Sequence, residues 1–184
     1  EINDEFFYKT IKSGWEYRQQ IGYVENCRLI FGGADQLPAL IIDKFNDYFV
    51  IQTLALGIDK WKGAIVAALE KIFSPKGIYE RNDVPVRELE GMPQQKGFLS
   101  APFDTNIILN ENGLKFHVDI VNGQKTGYFL DQQDNRRMIQ HIVKDANVLE
   151  AFCYTGTFSM HAAKYGAKNV LGLDISENAV NTAR

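Results

Sequence analysis

Apolar side chains recur at every third or fourth position in two stretches of the N-terminal half of the chain. The first stretch covers residues 4–20 and the second covers residues 59–73. This spacing predicts two amphipathic helices, each with one face packed on a neighbouring layer. Asp59 opens the second stretch, and an acid at that point is a candidate N-cap for the first helical turn.

Short apolar runs of strand length lie around these helices, bounded by turn residues. They cover residues 27–31, 40–44, 48–54 and 77–80. Three strands followed by a helix and a fourth strand predict a small central α+β domain over residues 22–103, preceded by a helix and linker over residues 1–21. Residues 83–103 hold three of the five prolines and show no periodicity, so a long surface loop is expected there.

The last part of the chain combines a hairpin with alternating helices and strands. Two apolar runs, 105–110 and 114–121, flank Asn112-Gly113, a dipeptide typical of tight hairpins. The pattern then predicts a helix at 134–144, a strand at 148–152 and a turn at 153–157. A second helix (158–165), a second strand (169–174) and a helix capped by Ser176 are predicted to follow. Such alternation is typical of a doubly wound α/β sheet, so residues 104–184 are interpreted as the start of a Rossmann-like domain with two strands.

Composition and charge disfavour several classes of protein. The chain has 45% hydrophobic and 23% charged residues, as globular proteins do, and its net charge of −3 argues against binding nucleic acid by bulk positive charge. Cys27 and Cys153 lie far apart and show no metal-binding spacing, which favours a reduced, cytoplasmic setting without disulfides or a metal. No apolar run approaches the ~20 residues that span a bilayer, so no membrane association is expected.

The most informative stretch is the predicted turn between the first Rossmann strand and its helix. Gly156 lets a ligand approach the backbone, and Asp174, 174 − 156 = 18 residues later, can accept hydrogen bonds from both ribose hydroxyls of an adenosine. A dinucleotide favours three glycines in the pattern G-x-G-x-x-G, and this turn has one. Glu150 would repel a pyrophosphate but attract the ammonium group of a methionine. These residues favour S-adenosylmethionine over NAD.

The same residues also allow purely structural roles. Glu150 can pair with a lysine, and Asp174 can cap the helix that follows it. Cys153 fits a small buried filler better than a reactive thiol, and Phe152 and Phe158 can belong to the core. The order and spacing of the set favour the binding role over these separate explanations.

Upstream, residues 122–137 form a polar segment that leads into a helix. Two glycines bracket Lys125 and Thr126, which predicts a flexible loop with exposed donors, placed where it can fold over the cofactor. Arg136 and Arg137 can alternatively lie on a solvated face of the helix.

Four sequence blocks resemble one known family. They are GADQLPALIIDKFNDYFVIQ (33–52), ERNDVPVRELEG (80–91), GQKTGYFLDQQDNRR (123–137) and VLEAFCYTGTFSMHAA (148–163). They resemble the class I S-adenosylmethionine-dependent large-subunit rRNA cytosine-C5 methyltransferases (RlmI-like), over essentially the whole chain from about Asp4. In that family a PUA domain precedes a central α+β domain and a Rossmann-like catalytic domain. This chain resembles the central domain and the first part of the catalytic one.

The resemblance implies S-adenosylmethionine as methyl donor, ribosomal RNA as substrate and a set of cofactor-binding residues. This set is Lys125, Thr126, Gly127, Phe129, Arg136, Glu150, Phe152, Cys153, Tyr154, Thr155, Gly156, Asp174 and Ile175. In such enzymes a cysteine thiolate attacks cytosine C6 so that C5 can accept the methyl group. That nucleophile is expected beyond Arg184, because neither Cys27 nor Cys153 matches it.

Contact with RNA is expected from scattered basic residues, each of which can also be an ordinary surface charge. The candidates are Arg81, Arg87, Lys125 and Arg137. The main alternative function is a non-catalytic module that keeps the family scaffold and binds RNA or protein. Two strands of a doubly wound sheet leave a face and an edge uncovered, so a partner is predicted there, with a homo-oligomer as the candidate.

Overall fold

The N-terminal helix forms as its sequence predicts. The computed structural model describes all 184 residues, and helix α1 covers Asp4–Gln20. The side chain of Asn3 caps the helix by accepting a hydrogen bond from the backbone N–H of Phe6 at 3.0 Å. Two acids in the first turn add favourable charge at the positive end of the helix dipole.

A mixed five-stranded sheet follows, with its strands in the order in which they occur along the chain. The elements are β1 (Asn26–Phe31), β2 (Leu40–Phe45), β3 (Tyr48–Thr53), α2 (Leu56–Asp59), α3 (Lys62–Phe73), β4 (Gly77–Asn82), α4 (Val86–Leu89) and β5 (Gln95–Phe98). Neighbouring strands are antiparallel except β3 and β4, which are parallel and are connected by α3. The mixed sheet with helices agrees with the predicted α+β class.

One face of this sheet packs on α1 and α3 and carries the apolar core. Ile42, Ile51 and Ile78 point to this face from three neighbouring strands and are completely buried. Gly14 of α1 allows the helix to approach the sheet, because a Cβ atom there would lie 2.9 Å from Cδ1 of Ile30.

The opposite face of the sheet is covered by the chain between residues 118 and 130. Side chains alternate along strands, so Asp43 and Arg81 point away from the apolar core. Asp43 accepts a hydrogen bond from the hydroxyl of Thr126, and Arg81 donates to two carbonyl oxygens of the covering segment, one of them that of Gly123. The sheet is therefore enclosed on both faces.

Two predictions for the first half of the chain are wrong. Helix α3 begins at Lys62 without a side-chain cap, and Asp59 instead accepts hydrogen bonds from Thr53 and Arg87 at 2.6 and 3.0 Å. Residues 83–103 contain α4 and β5 rather than one long loop. Both elements are short and depend on tertiary contacts, α4 on its buried Arg87 and β5 on pairing with β4, so local periodicity does not reveal them.

A β-hairpin comes next, formed by β6 (Asn106–Glu111) and β7 (Leu114–Asp119). Asn112 and Gly113 form its turn with φ angles of 49° and 74°, which confirms the turn predicted from this dipeptide. Alternate residues of β6 are buried, and Glu111 falls in the buried register. A carboxylate at such a position requires a partner inside the fold.

The remaining chain forms a βαβ unit flanked by helices. Its elements are α5 (Gln133–Met138), β8 (Asn147–Ala151), α6 (Thr157–Lys164), β9 (Asn169–Leu173) and α7 (Glu177–Ala183). Strands β8 and β9 are parallel, with Val148 opposite Val170. The predicted cap of α7 is confirmed, because the Ser176 hydroxyl accepts from the backbone N–H of Ala179 at 3.3 Å.

One helix in this part is shorter than its sequence predicts. The apolar spacing predicts a helix over residues 134–144, but α5 ends at Met138 and a single 3₁₀ turn, Ile139–His141, follows. The backbone leaves the helical region at Ile142, where φ is −128°. The chain then turns toward β8 through Asp145, which has a φ of 60°.

The chain forms two compact units. The first comprises Glu1–Leu109 and Val118–Leu130, and the second comprises Asn110–His117 and Asp131–Arg184. The hairpin thus contributes its base to the first unit and its tip to the second. All of the helices are too short or too polar to cross a membrane.

Candidate functional site

The βαβ unit brings the predicted turn and the predicted acid together. Because β8 and β9 are parallel, both strands end at the same edge of their sheet, and the residues that follow them lie side by side. The backbone N–H of Cys153 donates to the carbonyl of Leu173 at 2.9 Å, and the N–H of Tyr154 donates to Oδ2 of Asp174 at 2.7 Å. The sequence-predicted residues of the two strand ends therefore form one cluster.

The backbone of this turn is held in an uncommon conformation. Phe152, Tyr154 and Gly156 all lie in the left-handed region, with φ angles of 62°, 49° and 70°. For a residue other than glycine this conformation costs on the order of 1–2 kcal/mol, and such strain occurs most often at functional sites. At Gly156 a side chain is disfavoured further, because a Cβ atom would lie 3.1 Å from that of Ala183.

Asp174 is the acid that closes the cluster. Its Oδ1 accepts from the backbone N–H of Ser176 at 2.8 Å, while Oδ2 accepts from Tyr154. The Ser176 N–H and then the Tyr154 N–H lower the pKa of the Asp174 carboxyl below its usual range. The group stays ionised at neutral pH, and each oxygen has a lone pair left for a ligand hydroxyl.

Glu150 supplies the cap that helix α6 otherwise lacks. The residue before α6 is Gly156, which has no side chain with which to cap. Oε2 of Glu150 accepts from the backbone N–H and the hydroxyl of Ser159, at 2.7 and 2.5 Å. A carboxylate at a helix N-terminus is favourable because of the helix dipole. Both bonds use Oε2, so Oε1 is available to a ligand.

Apolar side chains flank the two carboxylates. Phe152 is 89% exposed and Ile175 is completely exposed, so the alternative that Phe152 belongs to the core is wrong. Cys153 is buried, and burial, followed by the charges of Glu150 and Asp174, raises the pKa of its thiol. A neutral, buried thiol is a poor nucleophile, which agrees with the interpretation of Cys153 as a small buried filler.

The loop over residues 122–129 belongs to the first unit and is more firmly held than its sequence predicts. Thr126 is fully buried and donates to Oδ2 of Asp43 at 2.5 Å, so the prediction that it is an exposed donor is wrong. Asp43 is itself buried and receives two hydrogen bonds at 2.9 Å from Arg28. Lys125 is exposed at the tip, with a φ of 55°, and its Nζ lies 4.6 Å from the centre of the Phe129 ring.

Gly127 fits this loop through its backbone. Its φ is 123°, and a Cβ atom there would lie 3.0 Å from the carbonyl oxygen of Asp119. Any side chain would be strained at this position. The glycine is therefore explained by the close packing of this loop against β7, and not by flexibility of the loop.

The predicted basic residues separate into buried and exposed ones. Arg81 donates to Asp83 at 2.9 Å and to the carbonyl of Ile120 at 2.6 Å, and Arg87 is 1% exposed among internal partners. Arg137 keeps 60% of its side chain exposed in a surface pair with Asp134. Burial of Arg81 and Arg87 favours a structural role for them, because a phosphate could not reach their guanidinium groups without displacing these partners.

Arg136 occupies an internal position in the second unit. It is 1% exposed and forms a two-pronged ion pair with Glu111, at 2.5 and 2.7 Å. The alternative of a solvated helix face is therefore wrong for Arg136, while Arg137 does lie on such a face.

Sequence reasoning missed three residues that shape the site, namely Ser159, Glu111 and His161. Only Glu111 had a usable signal, because strict alternation along β6 assigns it to the buried face. Ser159 and His161 gave none, since an isolated hydroxyl or imidazole on a short helix has many ordinary roles.

Comparison with known proteins shows which family the region of the candidate site is similar to. The family model described as S-adenosylmethionine-dependent methyltransferase matches residues 94–184, which include the hairpin, the turn and both carboxylates. This part of the chain is similar to that family.

The names of the relatives that are similar over the whole chain are more specific than the description of the family model. "Ribosomal RNA large subunit methyltransferase I" from Pseudoalteromonas translucida is 42% identical over 187 residues, covering 100% of this chain and 47% of that protein. The chain thus spans about half the length of the curated relatives it matches.

Two solved structures share the fold over the whole chain. One is a candidate S-adenosylmethionine-dependent methyltransferase from Streptococcus mutans, with a TM-score of 0.83, 23% identity and 48% of that chain covered. The other, a candidate methyltransferase complexed with SAH, has the same TM-score and identity, with 47% covered.

Proposed function

We propose that this protein is an S-adenosylmethionine-dependent methyltransferase that acts on ribosomal RNA, and that the chain supplies part of its cofactor site. The observation that supports this most is the pairing of two carboxylates, Glu150 and Asp174, at the ends of adjacent parallel strands around a strained turn. The name of the 42%-identical relative supports ribosomal RNA as the substrate.

The residues present fit the cofactor group by group. Asp174 is ionised and suited to accept from the ribose hydroxyls, and Oε1 of Glu150 is suited to the methionine ammonium. The exposed Phe152 and Ile175 offer apolar surface for the adenine, and Gly156 allows close approach to the backbone. When bound, S-adenosylmethionine would supply an electrophilic methyl group. These residues of the chain bind and orient it.

Cytosine C5 remains the proposed methylation target, and the chain's own cysteines are unsuited to the covalent step. Cys27 is buried, and burial raises the pKa of its thiol to about 11. Cys153 is also buried with a raised pKa. Neither forms a thiolate readily at neutral pH, so neither is proposed as the nucleophile.

The RNA contacts proposed from the structure are the exposed cations Lys125 and Arg137. We omit the buried Arg81 and Arg87 from this set. The assignment of Lys125, Thr126, Gly127 and Phe129 to the cofactor stays a prediction that rests on the family resemblance.

We further propose that the βαβ unit is the start of a doubly wound Rossmann-like sheet. We place the boundary between the central domain and this Rossmann-like domain near residue 103. Leu149, Leu171 and Leu173 on its strands are 63%, 58% and 52% exposed. Apolar surface of this kind favours a covering partner, and a second copy of the chain is the proposed one. Sedimentation showing only monomer at high protein concentration would contradict the homo-oligomer.

Calorimetric titration with S-adenosylhomocysteine tests the cofactor site. Asp174→Ala should abolish binding, because it removes the proposed ribose acceptor and a tie across the turn. Asp134→Ala, which removes an exposed acid of α5, is the control and should bind like the wild type. Equal affinity of all three proteins would contradict the site.

The alternative, a non-catalytic RNA- or protein-binding module, gives a different result. It predicts that the chain binds ribosomal RNA fragments, or a protein, but shows no affinity for S-adenosylhomocysteine. The strained, carboxylate-lined turn favours the methyltransferase, because an RNA-binding surface gains nothing from two anions at its edge.

A further inference from the structure

The tip of the hairpin carries a buried ion pair within the second unit. Glu111 and Arg136 are 2% and 1% exposed. Nε of Arg136 lies 2.5 Å from Oε1 of Glu111, and one of its terminal nitrogens lies 2.7 Å from Oε2. This two-pronged geometry fixes both the distance and the orientation of the two side chains. The pair therefore joins β6 to α5 rigidly.

The same carboxylate also faces helix α6. Nε2 of His161 lies 3.6 Å from Oε1 of Glu111 and 3.2 Å from the side-chain amide nitrogen of Asn112. Nδ1 of His161 lies 2.7 Å from the carbonyl oxygen of Thr157, so Nδ1 carries the proton and Nε2 accepts from Asn112. The imidazole stacks on Phe116, with ring centres 5.5 Å apart. His161 is thus fixed by the hairpin tip.

Two further contacts join α6 to the hairpin tip and to the ion pair. The amine of Lys164 donates to the carbonyl of Asn112. The guanidinium of Arg136 lies 5.8 Å from the ring centre of Phe158. Together with His161, the contacting residues of α6 recur at three-residue spacing, so one side of this short helix is held along its length.

The opposite connection of α6 leads to the candidate site. Its first turn is capped by Glu150 through Ser159, and the strained turn over residues 152–156 runs directly into it. Helix α6 is therefore held between two carboxylates, Glu111 at the hairpin and Glu150 at the site. A shift of the helix would displace the turn with it.

We propose that Glu111 and Arg136 are positioning residues: they hold α6, and with it the turn that binds the cofactor, in the binding geometry. This inference rests on the proposed function of the turn. It gives Arg136 a role that its burial allows, in place of direct contact with the cofactor. The hairpin tip becomes part of the machinery of the site without touching the ligand.

The test compares the buried Arg136 with Arg18, a partly buried arginine of the first unit. Arg136→Gln breaks the ion pair with Glu111, and Arg18→Gln breaks a matched two-pronged pair with Asp35 in the first unit, at 2.5 and 2.7 Å. Both should lower stability. Only Arg136→Gln should speed amide hydrogen exchange across residues 153–159 and weaken S-adenosylhomocysteine binding by about tenfold. Arg136→Lys should not restore binding, because an ammonium cannot form the two parallel bonds.

The outcomes distinguish a failure of the positioning role from a failure of the proposed cofactor site. Wild-type affinity and wild-type exchange in Arg136→Gln would overturn the positioning role while leaving the cofactor site intact. Equal weakening by Arg18→Gln would overturn it as well, since any loss of stability would then suffice. A wild-type chain without affinity for S-adenosylhomocysteine would contradict the cofactor turn itself, and hydrogen exchange of residues 153–159 would then decide whether the ion pair fixes the turn. If Arg136→Gln fails to fold, Glu111→Gln, which keeps the size of the side chain, takes its place in the same comparison.

Discussion

The chain contains the same supersecondary unit twice, with opposite surroundings. β3-α3-β4 and β8-α6-β9 are both parallel strand pairs connected by a helix. All six residues of β4 are buried, whereas no residue of β8 or β9 is. The first pair lies inside a five-stranded sheet that is covered on both faces, and the second is a two-stranded sheet. The two units therefore have the same strand-helix-strand topology but differ in how far their strands are buried.

The two units also differ in the interactions that the structure shows around their strands. In the first unit, burial of apolar residues fixes the register of the strands. In the second unit, the carboxylates of Glu111, Glu150 and Asp174 form hydrogen bonds at the hairpin tip and at the strand ends.

The sharpest test of this contrast truncates one strand residue in each unit. Ile51→Ala in β3 removes a completely buried side chain and should lower the free energy of unfolding by about 2–5 kcal/mol. Leu171→Ala in β9 removes a side chain that is 58% exposed and should change it by roughly 0.5 kcal/mol or less. Urea unfolding followed by circular dichroism measures both. Similar losses for the two variants would show that β9 is buried in solution.

A second test uses a glycine from each parallel pair. In Gly77→Ala of β4 the new Cβ atom would lie 2.2 Å from the Phe103 ring, so overpacking should cost about 1–3 kcal/mol. In Gly172→Ala of β9 it would lie 3.0 Å from Sγ of Cys153, against the turn. We expect Gly172→Ala to affect S-adenosylhomocysteine affinity more than thermal stability, and Gly77→Ala to do the reverse. Calorimetry and thermal melts on both variants check this, and an unchanged affinity in Gly172→Ala would break the contrast.

A smaller effect should follow from removing the cap of α7. Ser176→Ala leaves the first-turn N–H of Ala179 without its side-chain partner and should cost about 0.5–2 kcal/mol. Thr182→Ala in the same helix is the control, because its hydroxyl bonds only a carbonyl within that helix. Hydrogen exchange of the amides of α7 measures the local stability. Equal exchange in both variants would show that the cap contributes nothing.

The smallest expected effect is a pH dependence confined to the second unit. Burial lowers the pKa of His161 below its usual value of about 6.5. The unfolded chain therefore binds this proton at a higher pH than the folded one, so the stability of α6 should fall as the pH is lowered from 7 toward 5. His161→Gln should reduce this dependence in hydrogen exchange of α6, whereas His117→Gln, at an exposed position, should not. A flat wild-type profile would contradict the buried, neutral imidazole.

Patterns that depend on local chemistry were predictable from the sequence. Helix α1, the Asn112-Gly113 hairpin and the cap at Ser176 follow from spacing and turn residues alone, and the structure confirms them. The approach of Asp174 to the turn after β8 followed from the rule that parallel strands end at one edge.

What could not be predicted depends on tertiary partners. Asp59 is a residue type common at helix N-caps, yet its carboxylate accepts hydrogen bonds from Thr53 and from the buried Arg87 instead. The sequence predicts Arg81 and Arg87 to be surface residues, because no sequence pattern shows which carbonyl oxygens will accept hydrogen bonds from them. Thr126 is likewise predicted to be an exposed donor, because its acceptor, Asp43, lies 83 positions away in the sequence.

The shared hairpin has a consequence for the ancestry of the chain. Because Asn110–His117 belongs to the second unit while the residues on either side of it belong to the first, no single crossover in the coding sequence separates the two units. A single crossover that exchanged residues 131–184 would leave the hairpin tip behind and separate it from the unit to which it belongs. The two units are therefore expected to be inherited together, with compensating changes that appear in pairs such as Glu111 and Arg136.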